Sequence, residues 1–349
     1  MSRVFWLLLL KYSGMWSIAK LGSRFVLGER LYLSLRERFS TPKPALQVQQ
    51  LRTLLLDVHA QFKSHVLRSL SRQRALEKEL AQLKYPSLYR QDLDVTVEIV
   101  RRGEMPSGSA DSISVVITNY NYGQYLPEAI ESVLAQTHGE VEVVVVDDAS
   151  TDGSTDVLER LLDRAGAIPS SRALLKHNIG LPGARNLGVR LARGEFVFML
   201  DADNRLLVDC LERHVRMARS TGSDATYAII RVFGHGSLRP QFLSDAPFDV
   251  KRLSTKNYID AMALFRRTAL LEAGLYSTEL VLYGVEDYEL WLRFAAQRRR
   301  VEFIPTVLSE YRIHGQNMLP VAVLDLRGGI AHLRSKYPDI FSNAPVEVL

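Results

Sequence analysis

The spacing of apolar side chains divides the chain into stretches of different period. Trp16, Ile18, Leu21, Phe25, Val26, Leu31, Tyr32 and Leu33 are interleaved with Lys20, Arg24 and Arg30, a mixture that predicts an amphipathic helical arm over 1–41. Pro42 and Pro44 interrupt it. Leu51, Leu55, Val58, Phe62 and Val66 then recur at intervals of three and four, and Leu76, Leu80 and Leu83 continue the stripe. That repeat predicts a coiled-coil-like helix, which Pro86 ends, so 42–110 reads as helix and linker. From Ile113 the pattern changes to short β-branched runs separated by amphipathic ones. Strands are predicted at 113–118, 141–147, 173–176 and 196–200, and helices at 126–134, 155–164 and 184–192. Strands alternating with helices over short links give right-handed βαβ units, hence an α/β body over 111–320 with a mostly parallel, Rossmann-like sheet flanked by helices. Residues 321–349 read as a helical tail.

Charge sharpens the division. Residues 1–90 hold 16 Lys and Arg against 5 Asp and Glu, and the remaining chain holds 28 against 34. The net charge of +5 therefore belongs to the arm, and the mildly acidic body is not expected to bind nucleic acid. Aromatic and apolar residues mixed with arginines suit a helix lying on a membrane surface. Packing against the body or a partner chain, including a second copy, is the other reading. The apolar run at 4–10 is too short to span a bilayer, and no small-x-small cleavage pattern follows it. The single cysteine, Cys210, excludes an intrachain disulfide and fits a reducing compartment; it is expected as a small packed side chain. Together these point to a cytoplasmic protein, held at the inner face of a membrane if the arm binds lipid.

The chemistry gathers at predicted strand ends. Phe198-Met-Leu-Asp-Ala-Asp-Asn204 ends a strand in two carboxylates, Asp201 and Asp203. Ligands of open α/β sheets bind outside the carboxyl ends of strands, and paired carboxylates there suit Mg2+ or Mn2+, which in turn suits a diphosphate. The loop after the first strand offers Thr118, Tyr120 and Tyr122, and the next loop offers Asp147 and Asp148, groups able to stack on or bond to a nucleoside base. No Gly-x-Gly-x-x-Gly follows the first strand and no Gly-Lys-Ser/Thr loop is present, so a diphosphate has no glycine cradle. Arg185 sits near a helix start, where it either faces donor hydroxyls or phosphate or bridges two loops. Glu286 and Asp287 open a further helix, a position that the helix dipole favours for acids on its own account.

Ile117-Thr-Asn-Tyr-Asn-Tyr-Gly123, Val144-Val-Val-Asp-Asp-Ala-Ser-Thr-Asp-Gly-Ser154, Asn178-Ile-Gly-Leu-Pro-Gly-Ala-Arg-Asn-Leu-Gly188 and Gly194-Glu-Phe-Val-Phe-Met-Leu-Asp-Ala-Asp203 together resemble family 2 glycosyltransferases of the GT-A fold. The resemblance covers about 113–317 and leaves the arm outside. It implies an inverting, metal-dependent transfer from a nucleotide-diphosphate sugar, UDP-sugars being the favoured class, to a hydroxyl of a glycan or lipid-linked acceptor in polysaccharide or cell-envelope synthesis. By position it implies Thr118, Tyr120 and Asp148 on the base, Asp201 on ribose or sugar, Asp203 on the metal and Asp287 as catalytic base. Arg185 would serve the donor, Glu286 and Tyr283 the acceptor, and His314, in Tyr311-Arg-Ile-His-Gly, the metal or leaving group. The rival reading from another class is a non-catalytic nucleotide-sugar-binding or scaffolding subunit recruited through the coiled-coil arm.

Overall fold

The computed structural model describes residues 97–104, 110–164, 168–234, 241–315 and 326–342. The basic arm and the coiled-coil stripe, with the membrane and self-association roles they suggest, lie outside the described residues. Among the described residues no helix is long and apolar enough to cross a membrane.

The sheet grows from β-branched runs. Strands β2 (Ile113–Asn119) and β3 (Val141–Asp147) are buried throughout, and β5 (Phe196–Asp201) is buried up to its last residue. Alternate side chains leave for opposite faces: Val116, Val144, Val197 and Met199 join one core, while Val115, Val143, Phe196 and Phe198 join the other. Burial on both faces is what near-continuous apolar strands require of a parallel sheet. The remaining strands are β1 (Val97–Arg102), β4 (Ser170–Leu175), β6 (Arg205–Leu206), β7 (Ala225–Gly234), β8 (Phe242–Leu243), β9 (Ala263–Arg266) and β10 (Val301–Ile313). The order across the sheet is β1-β4-β3-β2-β5-β9-β7-β10-β6, with β8 on β7. Pairings β4-β3, β3-β2, β2-β5 and β7-β10 are parallel, and β9 runs antiparallel between β5 and β7. The α/β, GT-A-type architecture expected for the body is the one found.

The crossover helices are α1 (Leu126–Leu134), α2 (Ser154–Arg164) and α3 (Leu181–Leu191). Helix α1 buries Leu126, Ala129, Ile130 and Val133, the three-and-four spacing of one helical face. Helix α3 begins at Leu181 rather than at 184, because Gly180 at φ 80° supplies the turn and Pro182 suits the first helical turn. Its Gly188 rests on β2: a Cβ there would stand 2.2 Å from Val116 Cγ1. Strand β4 likewise starts earlier than expected, at Ser170, because Ser170 and Ser171 are buried by pairing with β1 and β3. Strand β1 falls within the stretch read as coil and linker. As an edge strand it alternates only partly between apolar and polar residues, which leaves little pattern to read.

Helices α4 (Cys210–Thr221), α5 (Val250–Leu253), α6 (Arg267–Ala273), α7 (Glu286–Ala296), α8 (Leu326–Lys336) and α9 (Pro338–Phe341) complete the fold. Cys210 is buried. Trp291 of α7 is buried too, stacked on Phe265 of β9 at 5.3 Å, and fastens α7 to the sheet. Glu289 of α7 accepts hydrogen bonds from Arg293 and, at 2.5 Å, from the hydroxyl of Tyr337 just after α8. The start of α7 is thus held at the same edge as the strand-end loops.

Candidate active site

Parallel pairing sets Thr118 beside Asp201 and Asn119 beside Asp147. The Thr118 hydroxyl donates to Asp201 Oδ1 at 3.2 Å, and Asn119 Nδ2 donates to Asp147 Oδ2 at 2.7 Å. Asn121, at φ 58°, ties the next loop in: its N–H donates to Ser150 Oγ at 2.9 Å and its Oδ1 accepts from the Thr151 N–H at 2.7 Å. Tyr120 stands half-buried between these contacts. Asp148 is buried and accepts the Ile179 N–H at 2.6 Å. Burial pushes its carboxyl up to about 7 even though the Ile179 and Gly180 amides pull the other way.

The Asp201-Ala-Asp203 turn is clasped from below by Arg185. One guanidinium nitrogen donates to both Asp201 oxygens at 3.0 and 3.2 Å, and another donates to Glu286 Oε1 at 3.0 Å. Burial opposes a charge on Arg185, but Asp201 and Glu286 outweigh it and raise the guanidinium pKa above its ordinary value. The ring of Tyr276 lies 5.3 Å beneath the guanidinium carbon. Glu286 spends its second oxygen on the Gly284 N–H, at 2.8 Å. Glu286, expected at the acceptor, is buried and has both oxygens engaged, so that it braces the helix start. Arg185 thus bridges the two loops. Asp287 is half-buried at the head of α7, and Asn257 Nδ2 donates to its Oδ2 at 3.2 Å. Burial, with repulsion from Glu286 and Asp260, holds its carboxyl well above the ordinary carboxylate range. Tyr283 is half-buried just before this helix start.

Asp203 is buried, with His314 Nε2 3.0 Å from its Oδ2. Burial and the neighbouring Asp201 push the Asp203 carboxyl up to about 7. His314 comes from the chain just after β10, stacks on Tyr125 at 4.6 Å and meets Tyr122 edge-on at 5.2 Å. Burial and Arg312 lower its pKa from 6.5, so at neutral pH it is a neutral imidazole. Arg312 Nε donates to the Asp203 carbonyl at 2.9 Å and fixes the turn. Among the described residues no three His, Cys, Asp or Glu side chains converge as a complete metal cage. The donor set nonetheless fits a hard divalent cation. Asp203 offers carboxylate oxygen beside a neutral imidazole, among carboxylates whose charge is only partly offset, and Mg2+-type sites commonly take their remaining ligands from phosphate and water.

Thr118, Asp201, Arg185 and Glu286 thus form one connected chain of contacts, with Asp203 and His314 paired next to it. Sequence reasoning missed Asp260, Tyr311, Tyr125, Arg312 and Asn257. Tyr125 lies close to the aromatic loop of Tyr120 and Tyr122, and Tyr311 and Arg312 lie in the segment that carries His314, whereas Asp260 and Asn257 carried no signal of their place.

Comparison with known proteins agrees with this geometry. The family described as Glycosyl transferase family 2 matches residues 114–274. The chain is 45% identical over 109 residues to the uncharacterized glycosyltransferase alr2836 of Nostoc sp., covering 31% of this chain and 33% of that protein. It is 23% identical over 205 residues to the UDP-Glc:alpha-D-GlcNAc-diphosphoundecaprenol beta-1,3-glucosyltransferase WfaP of Escherichia coli, covering 58% of this chain and 77% of that protein. The crystal structure of S. aureus TarS 1-349 in complex with UDP superposes with a TM-score of 0.51 at 21% identity, over 66% of this chain and 71% of that fragment. The match thus spans only about a third of the Nostoc relative.

Proposed function

We propose that this chain is a family 2 glycosyltransferase, an inverting enzyme acting on a nucleotide-diphosphate sugar. The observation that carries the reading is the Arg185 bridge, which ties the Asp201-Ala-Asp203 turn to the Glu286-Asp287 helix start. A donor site and a potential base are thereby held on one edge of the sheet.

Thr118, Tyr120 and Asp148 would take the nucleoside base and Asp201 the ribose or sugar. Asp203, with His314 beside it, would hold Mn2+ or Mg2+, which when bound neutralises charge on the departing diphosphate. Asp287 takes the proton from the attacking acceptor hydroxyl as the new glycosidic bond forms and the bond from the anomeric carbon to diphosphate oxygen breaks. Its raised pKa suits a base working near neutral pH. Arg185 and Glu286 keep Asp201 and Asp287 in register, and Tyr283 would meet the acceptor. WfaP, by its name, transfers glucose from UDP-glucose to a diphosphoundecaprenol-linked sugar. That supports UDP-sugar as donor class and a glycan or lipid-linked acceptor in cell-envelope polysaccharide synthesis. The basic arm is the part that would keep the enzyme beside such an acceptor, at the cytoplasmic face of a membrane.

The test is nucleotide release from a panel of UDP- and GDP-sugars with manganese, with Asp287→Asn and Asp203→Ala beside the wild type. Turnover by the wild type that both variants lose is the expected result. Equal turnover in all three sinks the mechanism, and tight nucleotide-sugar binding without turnover on any acceptor favours a binding subunit.

A further inference from the structure

Asp260 is a carboxylate that the reading above leaves without a task. Strand β9 runs antiparallel to β5, with Phe198 opposite Leu264. The chain just before β9 must therefore lie beside the turn just after β5, which is Asp201-Ala-Asp203. Asp260 occupies that stretch, and its place is built. Its N–H donates to Ser244 Oγ at 2.9 Å, and its Oδ1 accepts the Met262 N–H at 2.9 Å. Ser244 is buried and turns the chain there at φ 53°.

Asp260 interacts electrostatically with Asp201 and Arg185, and it acts in turn on Asp203, Asp287 and the Tyr311 hydroxyl. It thus stands among the residues assigned to the donor sugar, the diphosphate and the proton. On those assignments the atom between the three is the anomeric carbon, and the group that would lie against Asp260 is the transferred sugar ring. A carboxylate crowded by others is costly unless it accepts hydrogen bonds, and sugar hydroxyls are neutral donors of that kind.

We propose that Asp260 is a donor-binding residue that accepts hydrogen bonds from hydroxyls of the transferred sugar, and so helps to select which sugar is moved. The inference rests on the glycosyltransferase reading.

Asp260→Asn is the informative variant. Its amide oxygen still accepts the Met262 N–H, so the loop keeps its anchor, and thermal melting of the full chain checks this. Dissociation constants are measured with manganese for UDP and for UDP-glucose, UDP-galactose and UDP-N-acetylglucosamine. The expected result is UDP affinity within about twofold of wild type and affinity for the preferred UDP-sugar reduced about tenfold, the size of one charge-assisted hydrogen bond. Asp260→Glu is expected to change the ranking of the sugars rather than the binding of UDP. Unchanged affinity for every UDP-sugar overturns the inference and leaves the enzyme reading intact. An equal loss for UDP also overturns it, because Asp260 then serves the diphosphate end. A wild type that binds neither UDP nor any UDP-sugar overturns both.

Discussion

Arg185 meets Asp201 and Glu286 where all three are largely shielded from water, so each charge depends on the others. Removing one partner of such a set leaves a buried charge uncompensated. Arg185→Ala is expected to lower unfolding free energy by ~3–5 kcal/mol in urea titrations. Adding Glu286→Ala should cost less than the two single changes summed. Asp287 makes a different prediction. On the proposed mechanism it must be ionised to accept a proton, and its surroundings keep it protonated to higher pH than a free carboxyl. Activity should therefore fall on acidification along a one-proton limb lying well above the free-Asp range of about 4, visible in a kcat/KM profile. Asp201, Asp203 and Asp287 were legible in the sequence because each marks the end of an apolar run or the start of a helix. Asp260 was not. Its neighbours come from β5, α3 and α7, and no local pattern announces a contact made across about 60 residues of chain.

Among the elements, α3 depends most on one residue. Gly188→Ala would press a methyl into Val116, an overpacking expected to cost about 1–3 kcal/mol. Because α3 carries Arg185, the variant should lose turnover as well as stability. Val116→Ala in the same chain should restore part of both by opening the space, as melting curves and donor turnover would show. Strands β2, β3 and β5 were readable because they are nearly continuous apolar runs. Beyond residue 220 the pattern was harder to read. Strand β10 shifts register against β7 twice between Ile304 and Ser309, and Pro305 sits where the first shift occurs. A bulge moves side chains to the other face, so period-two alternation fails even though the strand is long. The β9 insertion is short, and its antiparallel direction cannot be inferred from three apolar residues and an arginine.

For the molecule as a whole, acids accumulate along one sheet edge. Asp148 and Asp203 are raised from 3.8 to about 7, and Asp260 to about 6. In the unfolded chain the same groups release their protons near pH 4, so between about pH 4 and 7 the folded state binds more protons. A raised acid pKa makes stability fall as pH rises across that window. The ligand-free chain should therefore melt at lower temperature at pH 8 than at pH 5.5. Manganese with UDP should recover more of the melting temperature at pH 8 than at pH 5.5, because it binds where charge has accumulated and stabilises the folded state by mass action. A flat profile across this range would remove the electrostatic account. The body's architecture was legible from its alternating strands and helices. The arm's partner was not, since a basic amphipathic stripe suits lipid and protein surfaces equally.

The Arg185 bridge also bears on how this scaffold can be diversified. Its two acidic ends lie on either side of the β7–β9 region in sequence, Asp201 before it and Glu286 after it. Exchanging one half with that of a relative, to graft a new acceptor preference onto an old donor preference, would split a three-residue ionic set between two parents. Such a hybrid works only when both parents agree on that set. Recombination between distant relatives is thereby restrained by an ionic set most of which touches neither substrate, and new specificities are more readily reached through loops outside it, such as the one bearing Asp260.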